Sequence, residues 1–112
     1  MARMQSLKRG DVVWVNLDPT VGGEIQKRRP CVVVSLSVLN EKRLTVVVVP
    51  LSTGSTPRPP LVVAVPSAGA GSNARIDQIR AVDKSRILNV AGSLNRADMG
   101  QVEQGLRTVL GL

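Results

Sequence analysis

Short apolar stretches of strand length, broken by polar, Gly and Pro residues, fill most of this chain, and the spacing becomes helical only near its end. In residues 11–17, Val13, Val15 and Leu17 share one face, and Val12, Trp14 and Asn16 share the other, which predicts a first strand after a frayed start. Asp18-Pro19 breaks it, and residues 20–26 read as a long loop. Residues 31–35 hold three consecutive valines that need cover on both faces, as in a central strand. A polar turn at Asn40-Glu41-Lys42 leads to a third strand over 44–49, which Pro50 is expected to end. Residues 51–60 form a turn-rich loop, 61–65 a fourth strand and 67–73 a small-residue loop. Residues 75–82 then alternate like a strand with one wet face, and 87–91 are expected to add a short last strand.

The final segment changes period. Asn95 with Asp98 three residues on is a capping-box pattern, although Asp is shorter than the usual Glu. Met99, Val102, Leu106, Val109 and Leu110 follow at helical steps and predict an amphipathic helix packed on the sheet. The pattern predicts one α+β domain over 1–112, a small, mostly antiparallel barrel with a C-terminal helix.

Composition narrows the chemistry. Fifteen Lys and Arg against eight Asp and Glu, with no His, leave a net charge of +7, which suits a polyanionic partner as well as plain solubility. No apolar run approaches the roughly 20 residues of a membrane span. The first ten residues carry charge without a following apolar stretch, so no membrane and a cytoplasmic location are expected. Cys31, alone in an apolar strand, reads as a small core residue. Without histidine neither a zinc site nor a Ser-His-Asp triad can be assembled, so no metal or cofactor is expected. One aromatic residue argues against RNA-binding folds that stack rows of bases.

What remains is a set of arginines, hydroxyls and one carboxylate at strand ends. Lys27-Arg28-Arg29 runs into Pro30, and proline holds the residue before it in extended geometry, so Arg29 enters its strand with a fixed direction. Ser52 and Thr53 follow Pro50; Arg75, Asp77 and Gln78 open the alternating strand, with Arg75 and Asp77 on one face. Each piece alone has a plain structural reading as a solvated charge, a turn cap or a surface ion pair. If the strands are neighbours, the groups converge on one shallow cleft. Trp14 reads as barrel core or dimer packing rather than a stacking platform.

These blocks resemble the MazF/PemK family of toxins from bacterial toxin–antitoxin pairs. The likeness rests on residues 8–15, Asp18-Pro19-Thr20, Gly22, Glu24, Arg29-Pro30, Val33-Val34, the turn at 50–53 and residues 77–84. It implies a homodimeric SH3-like barrel with a C-terminal α-helix. The implied activity is metal-independent endoribonuclease cleavage of single-stranded RNA at a short sequence, and the implied partner an antitoxin with an acidic tail. By position, Arg29 matches the family's arginine of the Arg-Pro block, and Ser52 a position where better-known members carry threonine. Arg75 and Asp77 match an arginine and aspartate proposed as acid and base in the Kid/PemK branch. That branch also uses a histidine where this chain has Gly23, so its scheme does not transfer whole. Substrate contacts are expected from Thr53, Gly23, Glu24 and Gln78 and from the cations Lys27, Arg28 and Arg80.

Metal-free RNA cleavage uses the 2′-hydroxyl as nucleophile, and needs a base there, charge stabilisation at the phosphorane and a proton donor for the leaving 5′-oxygen. Arginine suits the second task because its fork binds phosphate bidentately, and it is poor at shuttling protons. Arg29 is therefore expected to stabilise the phosphorane, Ser52 to hydrogen-bond the phosphate, and Asp77 to act as base. Arg75 either holds Asp77 ionised or meets the phosphate itself. The competing expectation is a CcdB-like toxin that binds gyrase, but the chain ends Leu110-Gly111-Leu112, without the tryptophan of that branch.

Overall fold

The structure, a computed structural model, describes residues 6–24 and 27–112. Its strands are β1 (Asp11–Asn16), β2 (Arg28–Val33), β3 (Thr45–Thr53), β4 (Val62–Ala64), β5 (Ser72–Arg75), β6 (Arg80–Asp83) and β7 (Ile87–Ser93). Helix α1 (Ser37–Lys42) joins β2 to β3, α2 (Arg96–Leu110) follows β7, and 3₁₀ turns occupy Pro66–Ala68, Ile76–Gln78 and Lys84–Arg86. Residues 1–5 of the expected frayed start, and Ile25 and Gln26 of the expected loop, lie outside the described residues.

The strands pair antiparallel in the order β4-β5-β3-β2-β1-β7, with β6 also on β3. The expected α+β fold is present, but among the described residues the ladder does not close: β4 and β7 end the path. Alternation sends side chains to two cores. Val13, Val15, Leu17, Cys31, Val33, Val46 and Val48 pack in one. Val12, Val32, Val49, Leu51, Val63 and Ile76 pack in the other, with Val102 of α2. Each fully buried valine or leucine contributes on the order of 1.5–3 kcal/mol, so the valine strands supply most of the apolar burial.

Four local expectations are corrected. The segment before β1 is anchored from Leu7 on: that side chain is buried, and the Arg9 guanidinium bonds the Val34 carbonyl and pairs with Glu103 of α2. The polar turn near Asn40 is a helix, because Asn40 is a buried pin. Its amide donates to the carbonyls of Leu7 and Ser35 at 3.0 and 3.1 Å and accepts from Ser35 Oγ at 2.5 Å. This turns α1 inside out, with Asn40 inward and Val38 and Leu39 exposed.

Pro50 does not end β3. The Val47 N–H and C=O both point toward the β2 side, so alternation turns Pro50 to the opposite edge. There β6 has stopped at Val48 and β5 begins only at Leu51, so the missing N–H falls in a gap between partners. The expected strand over 75–82 is broken at Ile76–Gln78 instead. Ile76 is drawn fully into the second core, where it meets α2 at Gly105; a Cβ there would come within 3.0 Å of Ile76 and 3.2 Å of the Pro60 carbonyl. Along α2, Val102 is buried and Met99, Leu106 and Val109 pack on that core as expected, while Leu110 stays exposed.

Candidate active site

The cleft begins where β2 and β3 part. Their pairing runs Val33↔Val48, Val32↔Val49, Cys31↔Pro50 and stops. The Val33 carbonyl accepts from Gly10 on the β1 side and the Val34 N–H donates to Val47, so even-numbered residues of β2 face β3. The next pair would set Pro30 against Leu51, and Pro30 brings no N–H. Beyond that point the strands splay around a cleft of about 420 Å³.

Arg28 and Arg29 line it from β2, Ser52 and Thr53 from β3, and Trp14 from β1. Trp14 is 39% exposed here, so it belongs to the cleft rather than to the core. The far wall is the small-residue run Ala68, Gly69 and Ala70. Ser52 Oγ is buried and has no hydrogen-bond partner among the described residues. A buried unpaired hydroxyl costs about 1–3 kcal/mol, and native proteins keep such groups mainly where a ligand or function uses them.

A second cleft of about 440 Å³ holds Asp77, Gln78 and Arg80 with Gly23 and Glu24 of the β1–β2 loop. The two are neighbours along β3, since Pro50 lines the second and Leu51 the first. Burial pushes the Cys31 thiol up to about 12, against the opposing pull of Arg80 from the second cleft and of Arg29 from the first. Pro50, which also lines the second cleft, is the partner of Cys31 across the ladder.

The predicted residues therefore divide. Arg29, Arg28, Ser52 and Thr53 share one cleft, and Asp77, Gln78, Arg80, Gly23 and Glu24 share its neighbour. Arg75 lines neither, and its Nε is buried without a partner among the described residues. The expected common face of Arg75 and Asp77 is lost, since Arg75 ends β5 and Asp77 sits on the 3₁₀ turn. Lys27 lines neither cleft and works on the loop base. In left-handed backbone at φ 71°, it donates its N–H to Asp18 Oδ1 at 3.0 Å and accepts from Leu17. Glu24 Oε1 accepts from the Val21 N–H at 2.5 Å, fixing the loop tip.

Sequence reasoning missed Arg86, whose guanidinium holds the carbonyls of Asn16 and Asp18 at 3.2 and 2.6 Å and so clamps the same loop. It also missed the 68–70 wall, because small residues carry no chemical signal of their own. Among the described residues, no three His, Cys, Asp or Glu side chains cluster as metal ligands would.

The fold is a β-rich antiparallel sheet with a C-terminal helix, and its ladder stops at an Arg-Pro step beside a cleft lined by two arginines and a buried, unpaired hydroxyl. Residues 8–110 match the family model of the PemK-like, MazF-like toxins of type II toxin–antitoxin systems. The chain belongs to that family. It is 30% identical over 115 residues to endoribonuclease MazF9 of Mycobacterium tuberculosis (strain ATCC 25618 / H37Rv), covering 95% of this chain and 98% of that protein. The fold is similar to MazF from Deinococcus radiodurans, with a TM-score of 0.87 at 24% identity over 97% of this chain and 100% of that one. It is also similar to a mycobacterial endoribonuclease solved in complex with its cognate antitoxin, with a TM-score of 0.78 at 27% identity and 97% of both chains covered.

Proposed function

We propose that this chain is a single toxin domain that cuts single-stranded RNA as a metal-independent endoribonuclease, inhibiting translation and growth in the cytoplasm. The observation that carries the reading is the unpaired Ser52 Oγ in the cleft lined by Arg28 and Arg29. A phosphate seated there gives the hydroxyl its missing partner and meets guanidinium charge at the same time.

In this reading the 2′-oxygen attacks the adjacent phosphorus and the 5′-oxygen leaves, taking a proton from solvent water to become the 5′-hydroxyl. Arg29 stabilises the phosphorane, and Ser52 donates to the same phosphate, with Thr53 beside it. Asp77 takes the 2′-proton from the neighbouring cleft, so the substrate spans both clefts. Arg75, which lines neither cleft, acts through the turn that carries Asp77. Gly23, Glu24, Gln78 and Arg80 contact the flanking nucleotides, and Lys27 acts through the loop it closes.

The partner is an acidic antitoxin that covers the basic cleft of a toxin homodimer. Its support is the +7 charge of the chain and the mycobacterial relative solved with its antitoxin. The gyrase-binding alternative loses ground, since the curated relatives carry endoribonuclease names. The test is an RNA oligonucleotide with the 2′-hydroxyl at the cut site replaced by hydrogen. The all-RNA strand should be cut and the substituted strand bound but left whole; cutting of both would end the 2′-hydroxyl mechanism.

A further inference from the structure

We propose that Ser67 and Asp98 form a latch through which helix α2 sets the wall of the Arg29–Ser52 cleft and thereby the fit of the RNA strand; this rests on the nuclease reading of that cleft. An ordinary capping box closes within one helix: the N-cap side chain takes an N–H of the first turn, and the third residue's side chain returns to the N-cap N–H. The first half is present, with Asp98 N–H donating to Asn95 Oδ1 at 2.8 Å. The second half is not. The Asn95 N–H donates to Ser67 Oγ at 3.1 Å, Ser67 Oγ donates to Asp98 Oδ2 at 2.5 Å, and the Ser67 N–H donates to the same oxygen at 2.7 Å. A residue from the β4–β5 connection thus stands inside the box, and the helix start is satisfied only when that connection is docked.

The consequence reaches the cleft because the Pro66–Ala68 turn runs directly into Ala68, Gly69 and Ala70. Gly69 and Ala70 have no side chain able to anchor them; Ala68 packs on the second core and the Gly69 carbonyl accepts from the Ser72 N–H at 3.0 Å, so the turn before the wall sets its leading end. The turn's own bonds are local, from Ala68 N–H to Val65 and from Gly69 N–H to Pro66. Its side-chain tie to α2 runs through Ser67. Asp98 is 7% exposed, so losing the Ser67 hydroxyl leaves its buried carboxylate with the Ser67 N–H alone from that turn and takes the acceptor from the Asn95 N–H, which favours a shift of the turn. The wall lies beside the nucleotide path and contributes no reacting group. Ser67 and Asp98 are therefore positioning residues that govern substrate fit, not bond making.

The test compares the full-length protein with Ser67→Ala and Ser67→Thr on one RNA oligonucleotide, reading KM, kcat, thermal midpoint and acrylamide quenching of Trp14, the tryptophan that lines the same cleft. Ser67→Ala should raise KM about five- to tenfold with kcat within about twofold, and make Trp14 easier to quench. Ser67→Thr, which keeps the hydroxyl, should restore both. An unchanged KM in Ser67→Ala, a threonine variant that behaves like alanine, or a fall in kcat alone that tracks the thermal midpoint would each overturn the latch. Should Ser67→Ala not fold, Asp98→Asn is read by the same KM and quenching criteria. Wild-type protein that leaves the oligonucleotide whole would sink the nuclease reading, and the latch with it; failure of the variants alone sinks only the latch.

Discussion

Cys31 stands opposite Pro50, and beyond that pair β2 and β3 no longer hydrogen-bond. The site depends on this stop, because the pair that would come next lacks a donor at Pro30 and the strands separate around Arg29 and Ser52. Pro30→Ala restores an N–H that faces Leu51 and allows one more rung. Cleavage should fall at least tenfold while the thermal midpoint holds or rises by a degree or two, as one net hydrogen bond of about 1 kcal/mol would give. Initial rates and a melting curve on the same sample check this; undiminished cleavage would detach the cleft from the ladder stop.

Ser52→Ala separates function from stability. The hydroxyl is buried and unpaired, so its removal should leave stability to denaturant unchanged or raise it by up to about 1 kcal/mol. Single-turnover cleavage should slow by about 10- to 100-fold in the same variant. A clear loss of stability would mean that Ser52 is bonded in the native protein.

The Cys31 thiol, with its pKa raised from 9.0 to about 12, makes a pH prediction. The folded chain keeps the thiol proton where the unfolded chain releases it, so this group's contribution is fully present below pH 9 and is lost as pH rises toward 12. Cys31→Ala should therefore flatten the decline in stability over that window, measured by urea unfolding at stepped pH. Native protein should also resist thiol alkylation at pH 8 and react once unfolded; equal rates would mean the thiol is accessible.

Asn40 is a pin with no spare capacity. Asn40→Ala removes its bonds to Leu7 and Ser35 and leaves the buried Leu7 carbonyl and the half-buried Ser35 carbonyl unpaired, a loss of about 2–3 kcal/mol by urea unfolding. Asn40→Leu, which fits the apolar face of an ordinary helix, should be no better.

Gly105→Ala sets helix propensity against packing. Alanine favours a helix interior by about 1 kcal/mol over glycine, but its Cβ would stand 3.0 Å from the fully buried Ile76 and 3.2 Å from the Pro60 carbonyl. Backbone and a core side chain give way poorly, so the thermal midpoint should drop; a rise would mean that α2 rides loosely on the Ile76 turn.

Strand alternation was readable because Val12, Val13 and Val15 have no second way to bury their faces. Arg29-Pro30 also announced the cleft, since proline acts on its neighbours through local sterics. Three features escaped. Pro50 looked like a terminator because its empty edge depends on where β5 and β6 happen to pair. Asn40 looked like a turn residue because its carbonyl partners come from distant segments. Asp77 looked like a strand residue beside Arg75 because the pull of α2 on Ile76 is a tertiary event that no local pattern records. One wall of the candidate cleft, from Ala68 to Ala70, consists of residues whose role is to be small, and smallness carries no chemical signature.

The most direct test of the central claim is end-mapping of RNA cut by wild-type and Arg29→Ala protein in EDTA, with both shown to be folded. Wild-type should give discrete fragments ending in 2′,3′-cyclic phosphate and beginning with 5′-hydroxyl, and Arg29→Ala should give none above background. The same fragments at the same rate from Arg29→Ala would contradict it.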